Sequence, residues 1–256
     1  MDDEEHDDRR VTRRSNDECR RIAESTKVYF GIGRTWPVYV GRFLRSGKVL
    51  TLRGERPLIY RVVDNQTLGV QDAKTEMIDG AIVITAKHAI DSLAGFGEGR
   101  ARMTLAHELG HAVMHAAVGV VDHRASGATG TTTVSKISAA ESAEHQAKVF
   151  ASAFLIDDTR AAELAIPLAI ATEFLVSLSA AEICYERIQA ERERVAAAAR
   201  VLEANRRFQA LIRGSEKKNN YLQALCSACK CQTLVSLGTK VGCKTCGYVG
   251  DHPEDG

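Results

Sequence analysis

Arg102-Met103-Thr104-Leu105-Ala106-His107-Glu108-Leu109-Gly110-His111 is the stretch from which the chain is best read outward. An α-helix turns 100° and rises 1.5 Å per residue, so residues four apart share a face about 6 Å apart along the axis. His107 and His111 can therefore offer imidazole nitrogens to one metal ion, with Glu108 projecting beside them. The H-E-x-x-H spacing supplies two ligands and a base: zinc draws the pKa of a coordinated water toward ~7, and the glutamate takes its proton. Leu105, Leu109, Ala112, Val113 and Met114 make the segment apolar on most sides, as suits a buried helix running from near Gly99 to near Ala117. Gly110 costs a helix about 1 kcal/mol relative to Ala, so it points to room needed beside the metal or to another backbone coming close. His115 lies one turn further along the same face. It is not the last ligand of an H-E-x-x-H-x-x-G-x-x-H site, because that position is Ala117; supporting the site or packing is its expected role.

Upstream, Lys27 to Thr85 favours strands. Val28-Tyr29-Phe30, Val38-Tyr39-Val40, Val49–Leu52, Leu58–Val63 and Ala81–Thr85 are short β-rich runs separated by Gly, Pro, Asn and Asp. The last run lies just before the metal helix. A free strand edge there would align an extended peptide by backbone pairing, which makes Ile82, Val83 and Ile84 candidate substrate-binding residues, with an ordinary core strand as the competing reading. Downstream, Gly119–Ala139 contains Ser126-Gly127-Ala128-Thr129-Gly130-Thr131-Thr132-Thr133, a loop composition, and is placed to cover the site. A catalytic zinc takes three protein ligands and keeps one position open. The helix after the loop offers Glu141, Glu144 and His145 for the third, and spacing alone does not choose among them.

Residues 158–214 read as helical, with Ile188, Val195 and Leu202 at seven-residue spacing, explained by packing on the same domain or by a short coiled-coil contact. Residues 215–221 form a polar linker. Then come Cys226-x-x-Cys229, thirteen intervening residues, and Cys243-x-x-Cys246. Two such knuckles make a closed four-thiolate zinc site, hence a structural one, and so short a module needs its metal to fold. Cys231 is a spare that competes with Cys229. A zinc ribbon of this kind, 222–252, is as apt to bind protein as nucleic acid, and nothing in the sequence chooses between them.

At 256 residues, 45% hydrophobic and 26% charged, the chain is an ordinary globular protein of one or two domains. A net charge of +1 gives no support to a nucleic-acid or membrane partner. The first eight residues hold six acids and are followed by Arg9, Arg10, Arg13 and Arg14, so residues 1–25 read as a charged, disordered arm, helical only near its end, and not as a signal peptide. The longest apolar run, Ala165–Val176, contains Glu173 and is too short to span a bilayer. A cytoplasmic protein is expected, in which five cysteines between Cys226 and Cys246 mean metal rather than disulfides.

Arg102–His111 resembles the ImmA/IrrE family of metallo-endopeptidases, whose pattern is close to R-F-T-x-A-H-E-x-G-H. Glu144–Leu155 is similar to the family's second helix, E-x-x-A-N-x-F-A-x-x-L-L-M-P, with Lys148, Ile156 and Asp157 departing from it. Thr172–Ala180 resembles its x-F-x-V-S-x-x-A segment. The resemblance covers roughly Ala81 to Gln189. It implies Glu144 as the third zinc ligand, His107 and His111 as the others and Glu108 as the catalytic base. It further implies an α+β fold: a zincin-like core at 26–157 with a small sheet and active-site helix, then a helical region that is helix-turn-helix-like in some relatives. Family members cut helix-turn-helix repressors and so release stress or mobile-element genes; the expected partner is such a repressor. Tyr185, His115, His123 and His145 are all candidates to stabilise the transition state. A non-catalytic regulatory module working through the ribbon is the other reading, against which Glu108 stands, since a retired site has no need of a base.

Overall fold

The computed structural model describes residues 8–34, 36–116, 137–216 and 222–251. The loop reading for Gly119–Ala139 falls, up to residue 136, outside the described residues, as do His123, residues 1–7 and most of the 215–221 linker. The chain divides into two compact units, Met1–Ala190 and Glu191–Gly256.

The first unit mixes helices with one small sheet. Helix α1 (Asn16–Tyr29) starts at a capping box: the Ser15 hydroxyl accepts from the Glu18 N–H, and the Glu18 carboxylate accepts from the Ser15 N–H. Cys19, Ala23 and Thr26 then recur at helical spacing on its buried face. Two expectations are corrected here. Val28 and Tyr29 end a helix instead of forming a strand, because the cap and the buried stripe outweigh a short β-branched run. The arm at 1–25 is not disordered from residue 8 onward. Its Val11 and Arg14 N–H groups donate to the Glu141 and Ala140 carbonyls at 2.8 Å each, and the Arg9 carbonyl accepts from the Ala143 N–H at 3.0 Å. Val38 and Tyr39 are likewise no strand; they lead into the short α2 (Val40–Leu44).

Strands β1 (Lys48–Thr51), β2 (Gly54–Val63), β3 (Ala73–Ile78) and β4 (Ala81–Lys87) form one sheet in the order β1-β2-β4-β3. β4 runs parallel to β2 and antiparallel to β3. Asp79 and Gly80 join β3 to β4, both at positive φ (50° and 78°), the two-residue turn that matches the twist of a hairpin. β4 is buried along its length, as a continuous Ile-Val-Ile run is in a central strand. The assignment of Ile82, Val83 and Ile84 to a substrate-pairing edge is therefore corrected. These residues are 0–1% exposed, and both neighbours of β4 are already paired. Among the described residues the edge strands of the sheet are β1 and β3, and β3 is the one beside β4.

Helices α3 (His88–Gly95) and α4 (Gly99–Met114) follow, then a 3-10 turn (Ala139–Glu141), α5 (Ala143–Leu155), α6 (Asp158–Leu164), α7 (Pro167–Phe174) and the long α8 (Leu178–Glu216). The core gathers Leu105, Leu109 and Met114 of α4, Phe150, Phe154 and Leu155 of α5, and Ile82 and Ile84 of β4. Within α8, Ala181, Cys184 and Ile188 join that core, whereas Ala190 to Gln209 are exposed, Val195 and Leu202 among them. No helix among the described residues is long and apolar enough to cross a membrane.

The second unit has its own small sheet of β5 (Leu234–Leu237), β6 (Lys240–Cys243) and β7 (Val249–Asp251), antiparallel throughout. Its buried centre is Cys226, Leu234, Val241 and Cys243.

Candidate active site

Helix α4 carries the H-E-x-x-H residues, and its placement depends on two local features. Glu98 caps it by accepting from the Arg100 and Ala101 N–H groups at 3.1 and 2.6 Å. Arg102, 1% exposed, donates to the carbonyls of Val38 (2.6 Å), Phe174 (2.5 Å) and Leu175. Burial brings its guanidinium down to about 10, still charged at neutral pH. Those carbonyls belong to the stretch before α2 and to the end of α7, so Arg102 pins both to the active-site helix.

Helix α5 lies against α4 where side chains are smallest. A Cβ on Gly110 would come within 3.0 Å of the Phe150 ring and 3.3 Å of the Ala147 backbone. The glycine therefore serves close helix approach. That approach brings the α5 N-terminus to the histidines. His107 Nε2 and His111 Nε2 are 2.9 Å apart, and the Glu144 carboxylate oxygens lie 3.1 Å from the first and 3.2 Å from the second. The donor atoms of His107, His111 and Glu144 all lie within 4.8 Å of one another. The two competing candidates, His145 of α5 and Glu141 of the 3-10 turn before it, point elsewhere. His145 Nε2 meets Asn16 Oδ1 at 2.9 Å, and Glu141 accepts from the Ser138 hydroxyl at 2.8 Å. Lys148 is exposed.

The donor set fits a cation. Burial works against the Glu144 charge, but His107 and His111 beside it outweigh that, holding the carboxyl well below the usual carboxylate range. Two imidazole nitrogens and a carboxylate at these separations match a small tetrahedral ion, whose ligand atoms sit roughly 3.3 Å apart when each bond is about 2.0–2.1 Å. Glu108, on α4 between the two histidines, does not join the triad. It is buried at 8% exposure, and the Thr75 hydroxyl of β3 meets its Oε2 at 2.7 Å and its backbone carbonyl at 3.0 Å. Behind the histidines, His115 Nδ1 lies 3.0 Å from His111 Nδ1, and His115 Nε2 lies 3.1 Å from Gln146 Oε1. Burial, with His111 alongside, pushes the His115 imidazole down to about 3, so it is neutral.

Sequence reasoning did not reach Thr75, Arg102's carbonyl anchor or Gln146. Thr75 had one usable signal, the Asp79-Gly80 hairpin pair that places a strand just before β4. The other two are contacts of high sequence separation with no local signature.

The second cluster is sulfur only. Cys226 and Cys246 Sγ are 3.7 Å apart, and Cys229 and Cys243 Sγ 3.6 Å. That is far beyond a disulfide bond of about 2.05 Å and close to the edge of a tetrahedron with metal–sulfur bonds of about 2.3 Å. The Thr233 hydroxyl and the backbone N–H groups of Cys246 and Thr245 bring the Cys243 thiol down to about 6, making it a thiolate at neutral pH. Cys231 lies outside the four, its thiol directed at the Cys229 carbonyl.

Fold and site together give a mixed helix-and-strand protein with a His-His-Glu cluster able to hold a metal ion. Comparison with known sequences finds residues 95–186 similar to the Peptidase_M78 family model, described as the IrrE N-terminal-like domain. The matched span contains α4, α5 and the whole triad. No curated protein matches the chain.

Proposed function

We propose that the protein is a zinc-dependent endopeptidase acting in the cytoplasm, with His107, His111 and Glu144 as ligands and Glu108 as general base. The observation that carries this reading is the convergence of the three donors beside a fourth group, Glu108, which stays out of the cluster and is held by Thr75. Zinc, when bound, supplies the Lewis acidity that polarises a peptide carbonyl and acidifies water. The residues do the rest. The Thr75 hydroxyl donates to Glu108 Oε2 and so fixes the carboxylate with its second oxygen free to accept a proton from the attacking water. That proton is then available to the amine that leaves.

Substrate alignment falls to β3, whose outer edge is unpaired among the described residues and whose Thr75 touches the base. An extended peptide hydrogen-bonded along β3 would bring a backbone carbonyl past Glu108. A strand-binding site of this kind accepts an extended or locally unfolded segment, which favours a limited cut over digestion. The resemblance of Arg102–His111 and Glu144–Leu155 to ImmA/IrrE endopeptidases supports a helix-turn-helix repressor as substrate and derepression of stress or mobile-element genes as the outcome. The Cys226–Cys246 cluster is proposed to hold a second, structural zinc.

Co-expression with candidate repressors, alongside a Glu108→Gln control, tests the proposal. A discrete repressor fragment that disappears with Glu108→Gln is expected. Cleavage of unfolded casein at the same rate as of any repressor would overturn the limited-cut reading.

A further inference from the structure

Gln146 stands two residues after Glu144 on α5 and is 0% exposed. A carboxamide has two N–H donors and two acceptor lone pairs, and here all four are engaged. Nε2 donates to the Thr12 carbonyl at 3.0 Å and the Ala140 carbonyl at 2.7 Å. Oε1 accepts from Arg14 Nη1 at 3.2 Å and faces His115 Nε2 at 3.1 Å. The partners fix which end is which. Arginine only donates and carbonyls only accept, so the amide oxygen must face Arg14 and the nitrogen must face Thr12 and Ala140.

The orientation propagates. Facing an oxygen that can only accept, His115 Nε2 must carry a proton. His115 is buried and its ring nitrogens meet Gln146 and His111, with no carboxylate against either among the described residues, so the ring holds one proton and the other nitrogen is a lone pair. That nitrogen, Nδ1, lies 3.0 Å from His111 Nδ1, a contact that is attractive only if His111 Nδ1 carries a proton. His111 must therefore present its lone pair at Nε2, the atom that faces His107 and Glu144. Glu144 is reached from the same side: its N–H donates to Asp8 Oδ1 at 3.3 Å, and the Ala143 N–H before it donates to the Arg9 carbonyl.

We infer that Gln146, held by Arg14 and the Thr12 carbonyl, is a positioning residue that sets the tautomers of His115 and His111, and that this makes the segment Asp8–Arg14 part of the metal centre. The inference rests on the proposed ligand set of His107, His111 and Glu144. It gives the N-terminal segment a function that its charge pattern does not suggest. Anything that lifts residues 8–14 off the turn at Ala139–Glu141 would loosen the grip on metal without touching a ligand.

Titration of the full chain with Co²⁺ separates the outcomes, because cobalt bound to four thiolates and cobalt bound to nitrogen and oxygen absorb differently and can be followed independently. Gln146→Leu and His115→Leu are expected to weaken the nitrogen/oxygen site about 10–100-fold, with the thiolate site unchanged. His115→Asn puts an amide oxygen close to where Nδ1 sits, so it still accepts from His111 and is expected to stay within about threefold of wild type. Arg14→Met, at a half-buried position, should fold normally and weaken the same site by a smaller, several-fold step. Equal weakening by His115→Asn and His115→Leu would reduce His115 to packing and overturn the inference. Wild-type affinity in folded Arg14→Met would sever the N-terminal segment from the site and also overturn it. His107→Ala reports on the underlying reading separately. If that variant keeps the nitrogen/oxygen site, the ligand set itself is wrong.

Discussion

The two donor clusters of this chain are built in opposite ways. His107, His111 and Glu144 project from α4 and α5, whose other faces are buried among Leu105, Leu109, Phe150 and Phe154. The four cysteines project from two turns, and the centre they help to form contains, among the described residues, only two further buried hydrophobic side chains, Leu234 and Val241. In the first region an apolar core holds the donors in place and a metal would be an addition to it. In the second the core is too small to stand alone, and cross-linking by metal must supply the folding free energy. The donor counts run parallel. Three donors leave a tetrahedral ion one position for chemistry, and four leave none.

Metal removal should break this symmetry most visibly. A strong chelator is expected to unfold the β5–β7 unit outright, since structural zinc sites contribute on the order of 10 kcal/mol, while helical signal from the first unit persists. Amide protection measured by hydrogen exchange, residue by residue, reads both units at once. Loss of protection in α4 and α5 before β5–β7 would reverse the comparison. Cys243→Ser should reproduce the chelator's effect on β5–β7 alone.

A core-built site should also be sensitive to substitutions that touch no donor. Arg102→Met leaves the carbonyls of Val38, Phe174 and Leu175 without their donor inside the core. At about 1 kcal/mol or more per orphaned acceptor, a loss of about 3 kcal/mol is expected in urea unfolding of the first unit. Gly110→Ala is the next smaller step. The Phe150 ring can give way, but the Ala147 backbone at 3.3 Å cannot without moving α5, so about 1–3 kcal/mol of stability and some metal affinity should go together. If Gly110→Ala is neutral in both, the close approach of the helices is not what places Glu144. Thr75→Val is the gentlest. It frees the Glu108 carboxylate without altering any ligand, and about a tenfold fall in kcat with unchanged metal content and KM is expected.

The two sites differ as well in how far the chain discloses them. Both were legible as spacings, because a knuckle and an i, i+4 pair place their donors through local geometry alone. What local pattern could not supply was the scaffold. At Val28-Tyr29-Phe30 the local β propensity points to a strand, but the Ser15–Glu18 cap and the buried stripe behind it carry the helix through Tyr29. β3 escaped notice because Ala73–Ile78 is half-exposed and only weakly alternating, although Asp79-Gly80 marks its turn. Without β3, the Ile-Val-Ile run looked like an edge, and the contact between Thr75 and Glu108 had no counterpart. Gln146 is silent for a different reason: its partners Thr12 and Arg14 are more than 130 residues away in sequence, and such a contact exists only once the fold brings the segments together.

In the proposed function a metal held by His107, His111 and Glu144 and a proton taken by Glu108 together hydrolyse a peptide bond. Its most direct test is a side-by-side measurement of metal content and single-turnover cleavage in Glu108→Gln. Wild-type metal at the nitrogen/oxygen site is expected together with a fall in the cleavage rate of at least about 10³-fold, the upper part of the range for a general base. Cleavage near the wild-type rate with the metal still bound would contradict the proposed function.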